Sequence, residues 1–303
     1  MMVSVIIPCY NSESFLSRAV ESVLKQGYDG WELILVNNNS EDDTQAVIDH
    51  YVHRYPYKVK SLFEGKKGAC YARNNGVRAS KGTWIQFLDA DDEMLPGKWQ
   101  RQLDLASDSA DIVIGSFTRI YLNAAQEEDF IMNPQMNIWH AILRSQAGIT
   151  SANLYRRSAV VAVSGWNEAL DSSQEYDLLF RLLKAGARAC YDTKLSARVY
   201  EESNSVSRPK DKNGRERIIN NYVELRIRIA AHLNEYGIWD SDLRRIYARS
   251  LYEMMLNRKG ASILDVHTVM KELGLETTDP LQLLQRAKYY TKKLIFRNKV
   301  DTY

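Results

Sequence analysis

The stretch "WIQFLDADDEML", residues 84–95, decides the fold, because an apolar, strand-like run ends there in a group of carboxylates. The run favours burial, and three acidic side chains follow it: Asp89, Asp91 and Asp92. At an effective dielectric constant of 20, two like charges about 4 Å apart repel by roughly 4 kcal/mol. The three carboxylates therefore either point apart or share a bound cation.

Strand-like and helix-like segments alternate on both sides of this stretch. The strand-like segments lie at residues 3–8, 31–36, 57–63, 82–88 and 110–115, and the helix-like segments at 12–27, 42–54, 68–80 and 97–106. This order predicts an α/β fold with a mostly parallel sheet flanked by helices. Ligands of such sheets lie beyond the carboxyl ends of the strands. Polar clusters follow three of these strands, at Cys9–Ser12, Asn37–Ser40 and Asp89–Asp92, so they predict a binding site at one rim.

The rest of the chain is less regular. Residues 116–148 have no clear pattern and are treated as a variable insertion, while short strands flank a helix at about 173–185. The polar stretch 201–215 contains Pro and Gly and predicts a loop or linker. Helical periodicity dominates afterwards, so 216–303 is predicted to form a small C-terminal helical subdomain after a domain spanning 1–200.

Composition excludes several classes of protein. The 303 residues carry a net charge of only +2, which is no global footprint for nucleic-acid binding. No apolar run approaches the roughly 20 residues that a membrane helix needs, and the first residues lack the basic region of a signal peptide. The three cysteines are far apart, without metal-ligand or redox spacing. Reduced thiols and a cytoplasmic location are therefore expected.

Asp89 and Asp91 have the chemistry of a metal site. One residue separates them on a loop, where both can face one ligand. Mg²⁺ and Mn²⁺ bind carboxylate oxygens and are usually shared with substrate phosphates. A phosphate-bearing substrate bridged by such a metal would relieve the repulsion between the carboxylates. A solvated loop at a strand end is the alternative.

Five segments occur in the order found in family-2 glycosyltransferases of the GT-A fold: "SVIIPCYN", "ELILVNNNSEDDT", "KGACYARNNGVRASKGTWIQFLDADDEMLPGKW", "GWNEAL" and "SSQEYDLLFRLL". The chain resembles this family over roughly residues 3–200. The resemblance implies a metal-dependent, inverting enzyme that moves a single sugar from a nucleotide-diphosphate sugar to a hydroxyl of a glycan or lipid-linked glycan. It makes 1–115 the nucleotide-binding half and 116–200 the acceptor half.

The same resemblance assigns residues to the donor site. The family's Asp-x-Asp signature corresponds to Asp89-Ala90-Asp91, which places Asp89 near the donor ribose and Asp91 on a Mn²⁺ or Mg²⁺ ion. Asp92 is expected to order the loop. The remaining nucleotide contacts implied by the resemblance are Pro8, Tyr10, Asn11 and Arg73. Arg73 could instead be a surface arginine, and Tyr10 a packing residue.

The sequence departs from the family after the second strand. The family usually has one or two aspartates there that contact the base, and this chain has Asn37, Asn38 and Asn39. An amide oxygen can accept a hydrogen bond from N3–H of uracil, but it is a poorer partner for the two donors of guanine. The three asparagines therefore favour a uridine-type donor.

Inverting transfer also needs a base that takes the proton of the acceptor hydroxyl. The resemblance aligns an acidic pair of the family with Gln174-Glu175, which makes Glu175 the candidate. The ordinary pKa of glutamate is about 4.3, so a partly dry cleft would have to raise it. A capping box over 172–175 is the alternative role for Glu175. Asp177 faces another way on the helix and is expected to be structural.

Two further expectations concern the acceptor side and the tail. Trp166 and Asn167 resemble a segment lining the acceptor side in the family, although a buried tryptophan is the alternative. The segment 286–299 contains six Lys or Arg and no acid, and it predicts a basic amphipathic helix at the inner face of a membrane. A basic helix packed on the catalytic domain is the alternative. Exposed apolar positions on the tail helices would suit a homodimer.

Two other functions compete with transfer. A catalytically silent relative that binds nucleotide or glycan is the alternative raised by the asparagines after the second strand. Phosphatases of the haloacid-dehalogenase type also place Asp-x-Asp after a hydrophobic strand. Their motif continues with Gly and Thr or Val, whereas this chain continues with Asp92-Glu93. The phosphatase class is therefore disfavoured.

Overall fold

A mixed nine-stranded sheet lies at the centre of the computed structural model, which describes residues 1–106, 109–123, 126–201 and 212–256. The strands within those residues are β1 (Val3–Cys9), β2 (Trp31–Asn37), β3 (Val59–Phe63), β4 (Trp84–Phe87), β5 (Glu93–Met94), β6 (Ile112–Asn123), β7 (Gln126–Met132), β8 (Leu154–Arg156) and β9 (Ala189–Glu201). The helices there are α1 (Leu16–Leu24), α2 (Thr44–Arg54), α3 (Ala69–Ala79), α4 (Lys98–Ala106), α5 (Ile138–Arg144), α6 (Arg157–Ala162), α7 (Gln174–Lys184), α8 (Lys212–Glu235) and α9 (Ser241–Leu256).

The strand order is β3-β2-β1-β4-β8-β6-β9-β5, and β7 pairs with β6. Strands β3, β2, β1 and β4 are parallel to their neighbours, as the alternating sequence predicts. Beyond β4 the sheet becomes mixed, because β8 runs antiparallel to both β4 and β6 while β9 is parallel to β6. The predicted α/β class with a mostly parallel sheet flanked by helices is confirmed.

The register of the parallel strands brings the polar clusters to one rim. Cys9 pairs with Asn37, and Asn37 pairs with Phe63, so β1, β2 and β3 end at the same level. The amide of Leu88 donates to the carbonyl of Ile6 at 3.0 Å, which carries β4 to the same edge. The central strands are almost wholly buried, as expected for a parallel sheet covered on both faces. The Asp-x-Asp loop therefore emerges beside the ends of β1 and β2.

Residues 116–148 are not the patternless insertion that the sequence suggested. Strand β6 extends to Asn123, forms a hairpin with β7, and is followed by α5. Along most of its length β6 pairs with β9, from Ile112 with Ala189 to Tyr121 with Glu201, and an irregularity after Gly115 interrupts the register. A strand stabilised by so distant a partner carries little local signal.

The helical stripe predicted after residue 216 is confirmed in α8. The helix buries the apolar side chains Tyr222, Leu225, Ile229 and Leu233. The first compact unit of the chain spans Met1–Tyr247 and a second begins at Ala248. The basic segment 286–299 lies outside the described residues. Among the described helices, none combines the length and the apolar composition needed to cross a membrane.

Candidate active site

Arg73 connects the Asp-x-Asp loop to the start of α7. It projects from α3, is only 6% exposed, and donates from Nη2 to Asp89 Oδ1 at 2.6 Å. Its Nη1 donates to Gln174 Oε1 at 3.1 Å, and its guanidinium lies 4.5 Å from the ring centroid of Trp166. The alternative of a surface arginine is therefore wrong. Arg73 bridges the residue next to Glu175 and the first aspartate of the signature.

Asp92 anchors the far end of the Asp-x-Asp loop. It is buried and accepts a hydrogen bond from Ser151 Oγ at 2.5 Å. The backbone amide of Tyr200 is a second donor to this carboxylate. Burial raises the pKa of Asp92 well above its usual range, and the charges of Asp89 and Asp91 raise it further. This arrangement agrees with the expectation that Asp92 orders the loop.

The loop is also held from the side of α1. Arg18 Nη2 donates to the backbone carbonyl of Asp91 at 2.5 Å. The same guanidinium stacks 3.8 Å from the ring centroid of Tyr200, a cation–π contact. Ala90, between the two signature aspartates, is buried, whereas Asp89 and Asp91 are half-buried. The backbone around the signature is thus fixed while its two aspartate side chains stay at the surface of the rim.

The loop after β1 forms another part of the rim. Tyr10 is 44% exposed, and the Lys67 ammonium lies 5.4 Å from its ring centroid. Asn11 has a left-handed backbone, with φ of 46°, and its side-chain oxygen accepts from the amide of Glu41 at 2.9 Å. Pro8 is half-buried near the end of β1. Of these side chains, Tyr10 is the one available to stack on a planar group.

The three asparagines after β2 are used differently from one another. Asn37 Oδ1 accepts from the amide of Ser40 at 3.0 Å, and Asn38 Oδ1 accepts from the amide of Gly68 at 2.8 Å. Both asparagines are buried. Asn39 is half-buried, with a left-handed backbone at φ of 60°. Asn37 and Asn38 therefore shape the rim by holding neighbouring loops, a role that sequence reasoning did not anticipate.

Glu175 lines a cleft, which we call the Glu175 cleft. The cleft has a volume of about 490 Å³ and is lined by β6, β7, residues 145–149 and the start of α7. Glu175 is half-buried there. Burial raises its pKa, as does the charge of Asp89, whereas its own backbone amide and the Arg73 guanidinium lower it. The net increase is the direction that a general base requires.

The local geometry argues against the capping-box role for Glu175. Ser173 precedes α7 with a left-handed backbone at φ of 55°, and no side-chain hydrogen bond caps the helix. The hydroxyl of Ser172 instead accepts from Asn221 Nδ2 at 3.0 Å. Asp177, two residues after Glu175, is fully buried and receives both Arg181 and Arg228 at 2.7 Å. The two neighbouring carboxylates thus face different surroundings.

Asn74 fixes the segment that contains Trp166. Its Oδ1 accepts from the amide of Trp166 at 2.8 Å, and its Nδ2 donates to the carbonyl of Trp166 and to Glu168 Oε1, both at 2.9 Å. Trp166 is 2% exposed and packs edge-on against Phe87, with ring centroids 5.0 Å apart. Asn167 Oδ1 accepts from the amide of Ala169. Trp166 packs against the guanidinium of Arg73, and its burial matches the buried-tryptophan alternative.

The residues of the rim suit a hard divalent cation that is shared with its substrate. Asp89 binds Arg73 and Asp92 binds Ser151, and the family resemblance is what assigns a metal to Asp91. Within the described part of the chain, no group of three or more His, Cys, Asp or Glu could hold a metal by itself. Mg²⁺ is commonly held by one or two carboxylates and completed by substrate phosphates and water.

A comparison with protein families identifies the chain. The profile described as glycosyl transferase family 2 matches residues 4–161, which include the β1, β2 and Asp-x-Asp segments. The chain belongs to glycosyl transferase family 2. The resemblance noted from the sequence is thereby confirmed.

Two curated relatives each match about a third of this chain. The chain is 36% identical over 105 residues to the Escherichia coli protein named UDP-Glc:alpha-D-GlcNAc-diphosphoundecaprenol beta-1,3-glucosyltransferase WfgD, covering 34% of this chain and 40% of that one. It is 37% identical over 103 residues to the Bacillus subtilis minor teichoic acid biosynthesis protein GgaB, covering 33% and 11% respectively. The matches therefore span well under two thirds of these relatives.

Solved structures confirm the GT-A-like fold over most of the chain. Staphylococcus aureus TarS 1–349 in complex with UDP-GlcNAc superposes with a TM-score of 0.65 at 17% identity, covering 86% of this chain and 74% of that one. The mannosyltransferase PcManGT from Pyrobaculum calidifontis, in complex with GDP-Man and Mn²⁺, gives a TM-score of 0.58 at 15% identity, covering 99% and 88%. At such identities the likeness concerns the fold.

Proposed function

We propose that this family-2 protein is a metal-dependent, inverting glycosyltransferase that moves one sugar from a nucleotide-diphosphate sugar to a hydroxyl of a glycan or lipid-linked glycan. The observation that carries the proposal is the position of Glu175. It lines a cleft of about 490 Å³, and it follows Gln174, which accepts from Arg73 Nη1 at 3.1 Å while Nη2 of the same guanidinium binds Asp89 at 2.6 Å. A candidate base therefore adjoins both a space for an acceptor and the Asp-x-Asp loop.

Glu175 acts in this proposal as the base. An acceptor hydroxyl in the Glu175 cleft gives its proton to the carboxylate while its oxygen attacks the anomeric carbon of the donor. The raised pKa of Glu175 brings its proton affinity closer to the operating pH, which favours proton transfer. The bond between the anomeric carbon and the diphosphate breaks on the opposite face of the sugar, and the configuration inverts.

The rim residues bind and orient the donor. Asp91 would hold the metal, and a divalent cation bound there would supply Lewis-acid stabilisation of the departing diphosphate. Tyr10 and Asn39 border the space for the nucleotide's uracil ring, because Tyr10 is exposed just after β1 and Asn39 is half-buried just after β2. Arg73 keeps Asp89 and the start of α7 in register with each other.

A uridine nucleotide is the donor we propose. The names of WfgD and of the TarS complex include UDP-sugars, which supports UDP as the first nucleotide to test for binding. PcManGT was solved with GDP-Man, so guanosine is the principal competitor. The amide oxygen of Asn39 can accept from N3–H of uracil, whereas guanine offers two donors that suit a carboxylate better.

Isothermal calorimetry with nucleoside diphosphates tests the donor site. We expect UDP to bind in the presence of Mn²⁺ and binding to weaken when a chelator replaces the metal. Asp91→Ala should lose the metal-dependent part of the affinity. Asp29→Ala is the matched control, because Asp29 is exposed just before β2, at the opposite edge of the sheet.

The outcomes separate the competing functions. Binding of no nucleoside diphosphate under either condition would refute the donor site. Metal-dependent UDP binding combined with no sugar transfer to any acceptor would favour the catalytically silent relative. Glu175→Gln then distinguishes chemistry from binding, because it should retain UDP affinity and lose turnover.

A further inference from the structure

Ser151 is a fully buried serine that contacts both ends of the Asp-x-Asp loop. It lies between α5 and β8, and no sequence signal marked it as functional. Its hydroxyl donates to Asp92 Oδ2 at 2.5 Å and accepts from the amide of Asp89 at 3.2 Å. The two bonds span the loop, so Asp91 lies between the two points that Ser151 holds.

A buried hydrogen-bonded chain fixes Ser151 in turn. Gln86 Nε2 donates to the carbonyl of Ser151 at 3.1 Å, and Gln86 Oε1 accepts from Lys98 Nζ. The ammonium of Lys98 also donates to Gln102 Oε1 at 2.8 Å. Gln86, Lys98 and Gln102 are all fully buried. Ser151 is therefore held in place by residues of β4 and α4, and it connects these two elements to the loop.

We propose that Ser151 is a positioning residue for metal binding, which holds the Asp-x-Asp loop in the conformation that presents Asp91 to the cation. The inference rests on the proposed function. Hydrogen-bond partners behind metal ligands orient those ligands, and their loss typically costs roughly 10- to 100-fold in metal affinity or activity. Removal of the Ser151 hydroxyl leaves the Asp92 carboxylate and the Asp89 amide each without one partner, which allows the loop to relax.

The direct test measures Mn²⁺ binding to the protein with UDP present, from the electron paramagnetic resonance signal of free Mn²⁺. We expect Ser151→Ala to weaken Mn²⁺ binding roughly 10-fold or more while UDP binding in chelator changes less than about 3-fold. Ser22→Ala is the matched control. Ser22 is buried, donates to the carbonyl of Ala19 and accepts from the amide of Met94 at 3.1 Å, just beyond the loop. It should leave Mn²⁺ affinity within about 2-fold.

A double-mutant cycle separates positioning from general destabilisation. If Ser151 acts through Asp92, then Ser151→Ala should have a smaller effect on Mn²⁺ affinity in an Asp92→Ala background than alone. Additive effects, or equal losses in Ser151→Ala and Ser22→Ala, would overturn the proposal. Should Ser151→Ala fail to fold, Ser151→Cys replaces it, since a thiol fills similar space but hydrogen-bonds weakly. Absence of Mn²⁺ and UDP binding by the wild type would instead refute the proposed function.

Discussion

Replacement of Asp177 by asparagine should destabilise the folded protein but leave kcat unchanged. Asp177 is fully buried and accepts two charge-assisted hydrogen bonds at 2.7 Å, from Arg181 Nε and Arg228 Nη2. Hydrogen bonds to charged groups contribute about 1.5–3 kcal/mol each. The side chains of Arg181 and Arg228 are 23% and 46% exposed, so both regain some hydration when the carboxylate is lost. We therefore expect Asp177→Asn to cost about 3 kcal/mol, near the lower end of the summed range.

The assay is equilibrium unfolding in urea, followed by circular dichroism. In a thermal unfolding experiment, the same loss of about 3 kcal/mol corresponds to a decrease in Tm of roughly 6–12 °C for a domain of this size. Glu175→Gln is the matched control, since it makes the same chemical change two residues away on α7. Because burial penalises the charged form of Glu175, its neutral replacement should leave the free energy of unfolding within about 1 kcal/mol.

The two variants should behave in opposite ways. Asp177→Asn should keep kcat at temperatures where it is folded, and Glu175→Gln should be stable but inactive. A stable Asp177→Asn protein that has lost turnover would refute the reasoning. That result would make Asp177 the reacting carboxylate and leave Glu175 without a role in proton transfer.

Three further predictions follow from the site and its supports. The acid limb of the kcat–pH profile should lie above the ordinary glutamate pKa of about 4.3, because activity is lost as pH falls through the raised pKa of Glu175. Gly165→Ala should lower Tm in thermal unfolding, since φ is +70° and a Cβ would lie 2.4 Å from Asn74 Oδ1. Arg226→Met should also lower Tm, because Arg226 donates from Nη2 to the carbonyl of Ile142 at 3.1 Å and from Nε to that of Leu143 at 3.2 Å, near the end of α5; an unchanged Tm would contradict that role.

The fold of the first 115 residues could be predicted from the sequence because its signals are local. Each parallel strand is a short apolar run followed by a polar cluster, and the register of β1 with β2 then brings those clusters together. The structure of residues 116–148 could not be predicted in the same way. Strand β6 is stabilised by β9, and a pairing so distant along the chain leaves no periodicity within the strand's own neighbourhood.

Some residues of the candidate site could likewise be predicted from local sequence segments, and others could not. Arg73, Asp89 and Asp91 belong to short segments whose order reveals the family, and Glu175 follows from the same comparison. Ser151 and the use of Asn38 as a loop support depend on contacts between segments that are distant in sequence. The type of a buried polar residue does not reveal its partner, so such roles emerge only from the folded structure.

A crystal structure with UDP and Mn²⁺, with anomalous data collected for manganese, tests the central claim most directly. The account predicts one strong anomalous peak in contact with the Asp91 carboxylate and the diphosphate. The uracil ring should lie near Tyr10 and Asn39, and the Glu175 cleft should remain open beside the donor site. A manganese ion bound elsewhere, or a nucleotide lying inside the Glu175 cleft, would contradict it.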